Sequence, residues 1–416
     1  MHEVVTVAAA PAGRISRLHV IAGIACGLAL AVDMIEMALG GALSTVFLAP
    51  PYNLGTTQLS LLVAAVYLGA VLGAPMFGWL SDRRGVRRCL VIALGWLAVT
   101  TIFCAASPDM VWLGALRFLC GLSLGAIPPL LIAYLTQIAP PERRGLLIFW
   151  VCGLAALAPP LGIMAVRWLL TAEPWGIASW RWPLVAAAVL SAVAASLFRR
   201  LPDGNAAESS RGAAGIAESS ASASASASAS PRRLVYVCAI YFLFPWAAVG
   251  FPLLTGPVLL LRGFDVSRAL LFVALTTVGP TVASLITGAF VDRLGRRTTL
   301  CAAAALMLVA VLLFAFCRAP SWVGGALVLF GLAGAIYVTA LTLYAAEIFP
   351  RAVRTFATST AWACNRAASV VVPLALLAVI TPRDSLLPLL PIVIAMLASM
   401  VLIGMGPRGA AGRAVD

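Results

Sequence analysis

Charged side chains inside apolar stretches are the residues of this chain best placed to do chemistry. Asp33 and Glu36 lie in the first apolar stretch, and Arg117 and Arg366 lie in later ones. A charge at the centre of a bilayer costs about 2.5–3.5 kcal/mol on insertion scales, so such residues usually have a function. The i, i+3 spacing puts the two acids on one helix face, where their repulsion favours uptake of a proton. The pair predicts proton coupling, with plain hydrogen bonding to another helix as the alternative.

A polar stripe surrounds Arg366. Trp362, Asn365 and Ser369 stand one helical turn or less from it and share its face. A planar guanidinium binds a carboxylate through two parallel hydrogen bonds. The stripe therefore predicts a substrate site for an anion, formed by Trp362, Asn365 and Arg366. The alternative is that Arg366 is the counter-ion of one of the two buried acids.

Aromatic side chains cluster on the seventh apolar stretch, at Tyr241, Phe242, Phe244 and Trp246. Aromatic rings pack in offset or edge-to-face pairs with other rings. We expect Tyr241 and Trp246 to contact a ring of the substrate. Packing against lipid or the helix core is the alternative for these residues.

The composition requires a membrane protein. The chain is 62% hydrophobic and 10% charged, with a mean hydropathy of +1.04, whereas soluble domains are about a quarter charged. Apolar stretches of about 20 residues can span a hydrocarbon core of about 30 Å as helices. Twelve such stretches occur, at 18–42, 58–80, 89–107, 111–138, 146–169, 182–198, 234–259, 268–290, 299–317, 321–346, 356–380 and 386–406. The prediction is an all-α integral membrane protein of twelve transmembrane helices.

The distribution of positive charge indicates the topology. All 28 basic residues are arginines, and most lie in segments that are cytoplasmic if both termini are cytoplasmic. The positive-inside rule favours this arrangement. We expect a multi-pass protein of the plasma membrane (a bacterial inner membrane) with cytoplasmic tails at 1–17 and 407–416. The net charge of +13 then reflects topology, and no nucleic-acid partner is predicted.

Several functional classes are excluded by missing residue types. Without lysine there is no P-loop for ATP and no Schiff-base site. His2 and His19 are the only histidines, and the nine cysteines fall in or beside apolar stretches, where they behave as small hydrophobes. We predict no metal, no cofactor and no enzyme. A membrane-embedded enzyme is the alternative, and it would need a clustered catalytic set.

An internal repeat divides the chain. Gly78-Trp-Leu-Ser-Asp82-Arg83-Arg84-Gly85 recurs 210 residues later as Gly288-Ala-Phe-Val-Asp292-Arg293-Leu294-Gly295. The same offset takes Gly121 to Gly331 and Tyr134 to Tyr344. We predict two six-helix bundles, 18–198 and 234–406. The linker 199–233 contains an Ala-Ser alternation and should be disordered. Two similar halves are typical of secondary transporters, whose substrate site lies between them.

The repeated blocks have a physical interpretation. Gly78 and Gly288 are expected to permit close helix packing, as are Gly121 and Gly331. Asp82 and Asp292 can cap a helix N-terminus and pair with nearby arginines. The alternative is that these arginines only set the topology.

The G-x-x-x-D-R-x-G-x-R-R block, its second copy and the 6+6 arrangement resemble the major facilitator superfamily over essentially the whole chain. The resemblance implies alternating access, with a cytoplasmic latch that includes Gly78, Asp82, Arg83, Gly288, Asp292, Arg293, Glu347 and Arg354. Arg117-Phe-Leu-Cys-Gly121 is similar to the arginine motif of the fourth helix. In proton symporters of the family the matching arginine tunes proton coupling. The alternative is that Arg117 extends to the membrane surface.

Three further patterns resemble one branch of the superfamily, the aromatic acid:proton symporters and the synaptic-vesicle-glycoprotein-related carriers. They are Asp33-Met-Ile-Glu36, the Glu347-Ile-Phe-Pro-Arg351 loop, and Asn365-Arg366 with Pro373. The resemblance implies proton-coupled symport of a small organic anion, such as an aromatic carboxylate, by a monomer in the lipid bilayer. A proton-driven multidrug or metabolite exporter, suggested by Ala158-Pro-Pro-Leu-Gly162, and a sugar porter are the alternatives.

Overall fold

The computed structural model describes residues 17–138, 144–172, 176–203, 231–349, 351–380 and 386–407. The helices are α1 (Arg17–Leu48), α2 (Thr56–Arg84), α3 (Val86–Ala106), α4 (Met110–Leu124), α5 (Ile127–Ile138), α6 (Arg144–Ala156), α7 (Ala158–Ala172), α8 (Arg181–Arg200), α9 (Pro231–Ala248), α10 (Gly250–Leu261), α11 (Val266–Leu294), α12 (Arg296–Phe316), α13 (Pro320–Ile348), α14 (Arg351–Ala378) and α15 (Leu390–Met405). Within these ranges no strand occurs. The all-α prediction is confirmed.

The helices form twelve candidate membrane spans in the described part of the chain, as predicted. Spans 4, 5 and 7 each consist of two helices, namely α4–α5, α6–α7 and α9–α10, and the other spans have one α-helix each. The breaks fall at Gly125–Ala126, at Leu157 and at Val249, each within four residues of a proline. Proline removes a backbone hydrogen bond and clashes with the preceding turn. The prolines therefore explain where these spans bend.

The predicted linker 199–233 and the two predicted tails are only partly within the described residues. Helix α8 continues to Arg200 and helix α9 begins at Pro231, so both ends of the predicted linker are helical. Residues 204–230, which contain the Ala-Ser tract, lie outside the described residues, as do 1–16 and 408–416.

Helices of the two halves recur at the spacing seen in the sequence. Thr56–Arg84 and Val266–Leu294 both have 29 residues, and Val86–Ala106 and Arg296–Phe316 both have 21. Their ends are offset by the 210 residues that separate the repeated blocks. The sequence repeat thus corresponds to repeated structure in spans 2 and 3 and spans 8 and 9.

Glycines set the packing inside each half. A Cβ on Gly121 would lie 2.2 Å from the carbonyl oxygen of Val66, and a Cβ on Gly331 would lie 2.2 Å from that of Thr276. Only glycine allows backbones to approach this closely, which is a common way of packing helices in lipid. The close approach of spans 2 and 4, and of spans 8 and 10, agrees with the packing predicted for these glycines.

The two halves touch near the ends of spans 1, 5 and 7. The Ser44 hydroxyl lies 3.2 Å from the Leu253 carbonyl oxygen. Arg167 donates from Nε to the carbonyl and hydroxyl oxygens of Ser267, at 3.0 and 3.1 Å. A Cβ on Gly256 would lie 1.7 Å from Thr45 Oγ1, so spans 1 and 7 meet here without space for a side chain. These contacts close the space between the halves on that side.

Candidate functional site

A cavity of about 480 Å³ lies between the halves. Spans 1, 2 and 5 line it from the first half, and spans 7 to 11 line it from the second. Its walls are mainly apolar, with Met37, Phe244 and Phe330 among them, and they also carry Asp33 and Arg366. The two ionisable side chains come from different halves, so the cavity combines opposite charges in an apolar setting.

Asp33 is placed at this cavity by helix α1. The residue is 8% exposed, and its buried Oδ1 has no hydrogen-bond partner within the described residues. Arg366 lines the same cavity and is half-buried. Leaving a buried carboxylate oxygen unbonded is costly. A proton or a bound ligand would remove that cost.

Glu36 has different surroundings although it lies one turn from Asp33. It is fully buried and forms an ion pair with Arg117, which is 2% exposed. Arg117 Nη2 also donates to the Glu36 carbonyl oxygen at 3.1 Å. The Thr101 hydroxyl donates to Glu36 Oε1 at 3.3 Å. The carboxylate therefore joins spans 1, 3 and 4 inside the first half.

Two sequence-based alternatives are wrong for these residues. Arg117 does not extend to the membrane surface, because its guanidinium is buried on Glu36. Arg366 is not the counter-ion of Glu36, since Arg117 has that position. Arg366 and Asp33 line the same cavity, so Arg366 is placed both to attract Asp33 and to bind a substrate.

The predicted stripe on span 11 faces the cavity as a group. Trp362, Asn365, Arg366 and Ser369 all line it. Asn365 Nδ2 donates to the Tyr241 carbonyl oxygen at 3.1 Å, and the Ser369 hydroxyl donates to the Asn365 carbonyl oxygen at 2.9 Å. The Asn365 bond connects spans 11 and 7, and the Ser369 bond lies within its own helix, so the Arg366 guanidinium is the strongest donor that the stripe offers to a ligand.

The aromatic residues predicted on span 7 are placed differently from expectation. Neither Tyr241 nor Trp246 is among the cavity-lining residues. Tyr241 packs edge-on against Trp362, with ring centroids 5.4 Å apart, and Trp246 packs against the core. Phe244 lines the cavity instead, and it stacks on Tyr337 at 5.1 Å. The bend after Pro245 and the helical rotation turn Phe244, and not its neighbours, towards the cavity.

Three polar residues of the cavity were not found from the sequence: Tyr67, Thr276 and Thr277. The two threonine hydroxyls donate to the carbonyl oxygens of Val273 and Ala274 in their own helix. The carbonyl oxygen of Thr276 also lies against Gly331, so this residue takes part in the packing of spans 8 and 10. A tyrosine in an apolar stretch gives no signal of the direction in which it faces.

The first copy of the predicted latch is only partly as expected. No atom lies within 4 Å of a Cβ built on Gly78, so this glycine is not needed for close packing. Helix α3 begins after Gly85 without a side-chain cap, and Asp82 is exposed. The capping role expected for Asp82 at this helix is therefore wrong. The Arg83 guanidinium lies 3.9 Å from the ring centre of Trp79.

Ion pairs connect the repeated blocks within each half. Arg87 forms a bidentate pair with Asp203 after span 6. The bond from Arg87 holds the pKa of the Asp203 carboxyl below its usual range. In the second half, Arg296 Nε donates to Glu347 Oε1 at 2.9 Å. The structure does not describe the surroundings of Gly288 or the side chains of Asp292, Arg293 and Arg354.

Two halves of membrane-spanning helices around a central cavity with ionisable walls define a membrane transporter for solutes. No group of three or more His, Cys, Asp or Glu residues suits a metal ion in the described part of the chain. The family model of the Major Facilitator Superfamily matches residues 25–373. The chain belongs to this superfamily, as the resemblance of its motifs predicted.

Similarity to individual proteins is more restricted. The arabinose-proton symporter of Bacillus subtilis (strain 168) is 33% identical over 154 residues, 35% of this chain and 32% of that protein. The gentisate transporter of Corynebacterium glutamicum is 29% identical over 146 residues, 34% of this chain and 32% of that protein. The matches thus span about a third of the length of these relatives. A crystal structure of a D-xylose-proton symporter superposes with a TM-score of 0.77 at 18% identity, covering 95% of this chain and 99% of that one, which shows the fold.

Proposed function

We propose that this chain is a proton-coupled symporter of small organic anions, of which monocyclic aromatic carboxylates fit best. The proposal depends on one observation. Arg366 and Asp33 line one apolar cavity, while several other polar groups there are bonded to backbone carbonyl groups. A cation for the substrate and an acid for the proton are thus present together.

The guanidinium of Arg366 would hold the substrate carboxylate. An anion that leaves water for an apolar cavity needs a compensating charge there. Arginine supplies it with a planar pair of donors. The opposite charge on Asp33 would compete for Arg366 until Asp33 takes up a proton. Protonation of Asp33 would therefore favour anion binding, which couples the two events.

The cavity walls favour a ring over a polyol. Phe244, Phe330 and Trp362 supply aromatic surface. A sugar would require a hydrogen-bond partner for nearly every hydroxyl. The Thr276, Thr277 and Ser369 hydroxyls already donate to backbone carbonyl groups. The hydrogens of these three hydroxyl groups are therefore not available to a sugar. The gentisate transporter supports this substrate class, since gentisate is an aromatic carboxylate.

A sugar porter is the second candidate, because the arabinose-proton symporter is among the relatives. Export in place of import is an outcome of the same measurements. In the orientation that we propose, both termini are cytoplasmic in the plasma membrane and the protein works as a monomer. The contacts of Ser44, Arg167 and Gly256 then close the outer side.

The test uses purified protein in proteoliposomes. We expect an inward proton gradient to drive accumulation of labelled benzoate or gentisate but not of arabinose or xylose. Asp33→Asn should abolish accumulation and leave exchange of the anion. Accumulation of sugars without carboxylates would establish the second candidate, and proton-driven loss of substrate would establish export.

A second test examines the guanidinium. Arg366→Lys retains the charge but loses the paired donors, which we expect to weaken carboxylate binding by about 1.5–3 kcal/mol, roughly ten- to a hundredfold. Arg262→Lys is the matched control, because Arg262 donates to the carbonyl oxygens of Phe314 and Ala315 outside the cavity. Unchanged binding in Arg366→Lys would contradict a direct contact with substrate.

A further inference from the structure

A second, much smaller cavity adjoins the first. It has a volume of about 10 Å³ and is lined by Glu36 and Arg117, the fully buried ion pair of the first half. This volume is at the lower limit for one water molecule, about 10–15 Å³. The large cavity, at about 480 Å³, has space for substrate and for several waters. A buried ion pair thus lies next to a space large enough for water without being part of it.

The boundary between the cavities consists of few residues. Met37, Gly40, Val63 and Tyr67 line both of them. Gly40 faces Val63, since a Cβ on Gly40 would lie 3.6 Å from Val63 Cγ1. Tyr67 follows Val63 by one helical turn and therefore continues the same face of span 2. It has the largest side chain of the four and the only one with a hydroxyl.

Charges surround Tyr67 on both sides of this boundary. Tyr67 lines the large cavity together with Arg366 and the small cavity together with Arg117. Asp33 and Glu36 lie on the facing helix, one in each cavity. An opening at Tyr67 would join these groups through water, and a proton could then pass from the substrate cavity to Glu36.

We propose that the ring of Tyr67 is a seal that keeps water of the substrate cavity away from the Glu36–Arg117 pair and so prevents proton leak in the absence of substrate. Tyr67 is a positioning residue in this role and does not carry the proton. The value of the seal depends on the proposed proton coupling, but its presence can be measured without any substrate.

The experiment measures proton influx into dye-loaded proteoliposomes under an imposed membrane potential, without substrate. Tyr67→Ala removes the ring, and we expect the leak to rise at least about tenfold, which corresponds to ~1.4 kcal/mol at the barrier. Tyr67→Phe retains the ring and should keep the parental leak. Tyr236→Ala is the matched control, because Tyr236 is not among the lining residues of either cavity and its hydroxyl lies 3.0 Å from that of Tyr344, so this variant should keep the parental leak.

A further variant tests the route of the leak. Glu36→Gln with Arg117→Leu removes both charges together, and added to Tyr67→Ala it should suppress the leak. Should Tyr67→Ala fail to insert, Tyr67→Leu replaces the rigid ring with a flexible chain and should leak more than Tyr67→Phe.

Three results would overturn the seal. They are a parental leak in both Tyr67→Ala and Tyr67→Leu, an equal leak in Tyr67→Phe or Tyr236→Ala, or a leak that persists without the ion pair. Failure of the proposed function is distinguishable, because it would appear as a parent protein in which no carboxylate moves protons. The comparison of Tyr67→Ala with Tyr67→Phe decides on the seal in either case.

Discussion

Replacing Arg117 by leucine tests the buried ion pair of the first half. Arg117→Leu leaves Glu36 fully buried, with the Thr101 hydroxyl as a remaining donor at 3.3 Å. Removing one partner of a buried pair typically costs about 3–5 kcal/mol. We expect a loss of about 3–5 kcal/mol in the free energy of unfolding of Arg117→Leu.

The double variant Glu36→Gln with Arg117→Leu supplies the control. It removes both charges and retains a side-chain oxygen for Thr101, so most of the stability should return, because replacing a whole buried pair is often neutral. The assay is reversible unfolding in mixed micelles, followed by tryptophan fluorescence. A loss in Arg117→Leu below about 1 kcal/mol, or an equal loss in the double variant, would refute the reasoning.

Two further predictions concern glycines at close helix contacts. Gly121→Ala and Gly331→Ala should each lower thermal stability markedly, because the new Cβ would lie 2.2 Å from a carbonyl oxygen, while Gly95→Ala should not, since no atom lies within 4 Å there; equal melting temperatures in the three variants would contradict this. Gly256→Leu should prevent spans 1 and 7 from meeting at Thr45 and so shift the protein towards the form that is open on the Thr45 side. Single-cysteine labels on the Thr45 side should then react faster. Unchanged labelling would show that this contact does not limit closure.

Much of the fold follows from the sequence because apolar length and repeat spacing are strong signals. Span number, the repeat offset and the helix contacts at Gly121 and Gly331 could all be predicted. The cost of a charge in lipid likewise singled out Asp33, Glu36, Arg117 and Arg366. All four lie at the cavity or directly beside it, in the small cavity that adjoins it.

Orientation within the bundle was harder to predict. The i, i+3 spacing placed Asp33 and Glu36 on one face, but a helix surrounded by protein has partners over most of its circumference. Asp33 therefore lines the large cavity, whereas Glu36, one turn further on, is paired with Arg117 inside the first half. The same limit explains why Tyr241 and Trp246 were chosen over Phe244 on a bent span. Asp82 was misassigned because Gly85, with φ of 83°, turns the chain without a cap.

The repeat of span 4 in span 10 shows how a duplicated scaffold can diverge. The residue 210 positions after Arg117 is Leu327, which is also fully buried. One copy of the scaffold thus holds an ion pair where the other holds hydrocarbon, and both keep the glycine four residues further on, Gly121 or Gly331. Both halves retain the close helix packing at this glycine, whereas the first half alone has an ion pair at this repeat position. If the halves descend from one ancestor, either ion pair or leucine can be its original state, and Leu327 shows that the backbone accepts both.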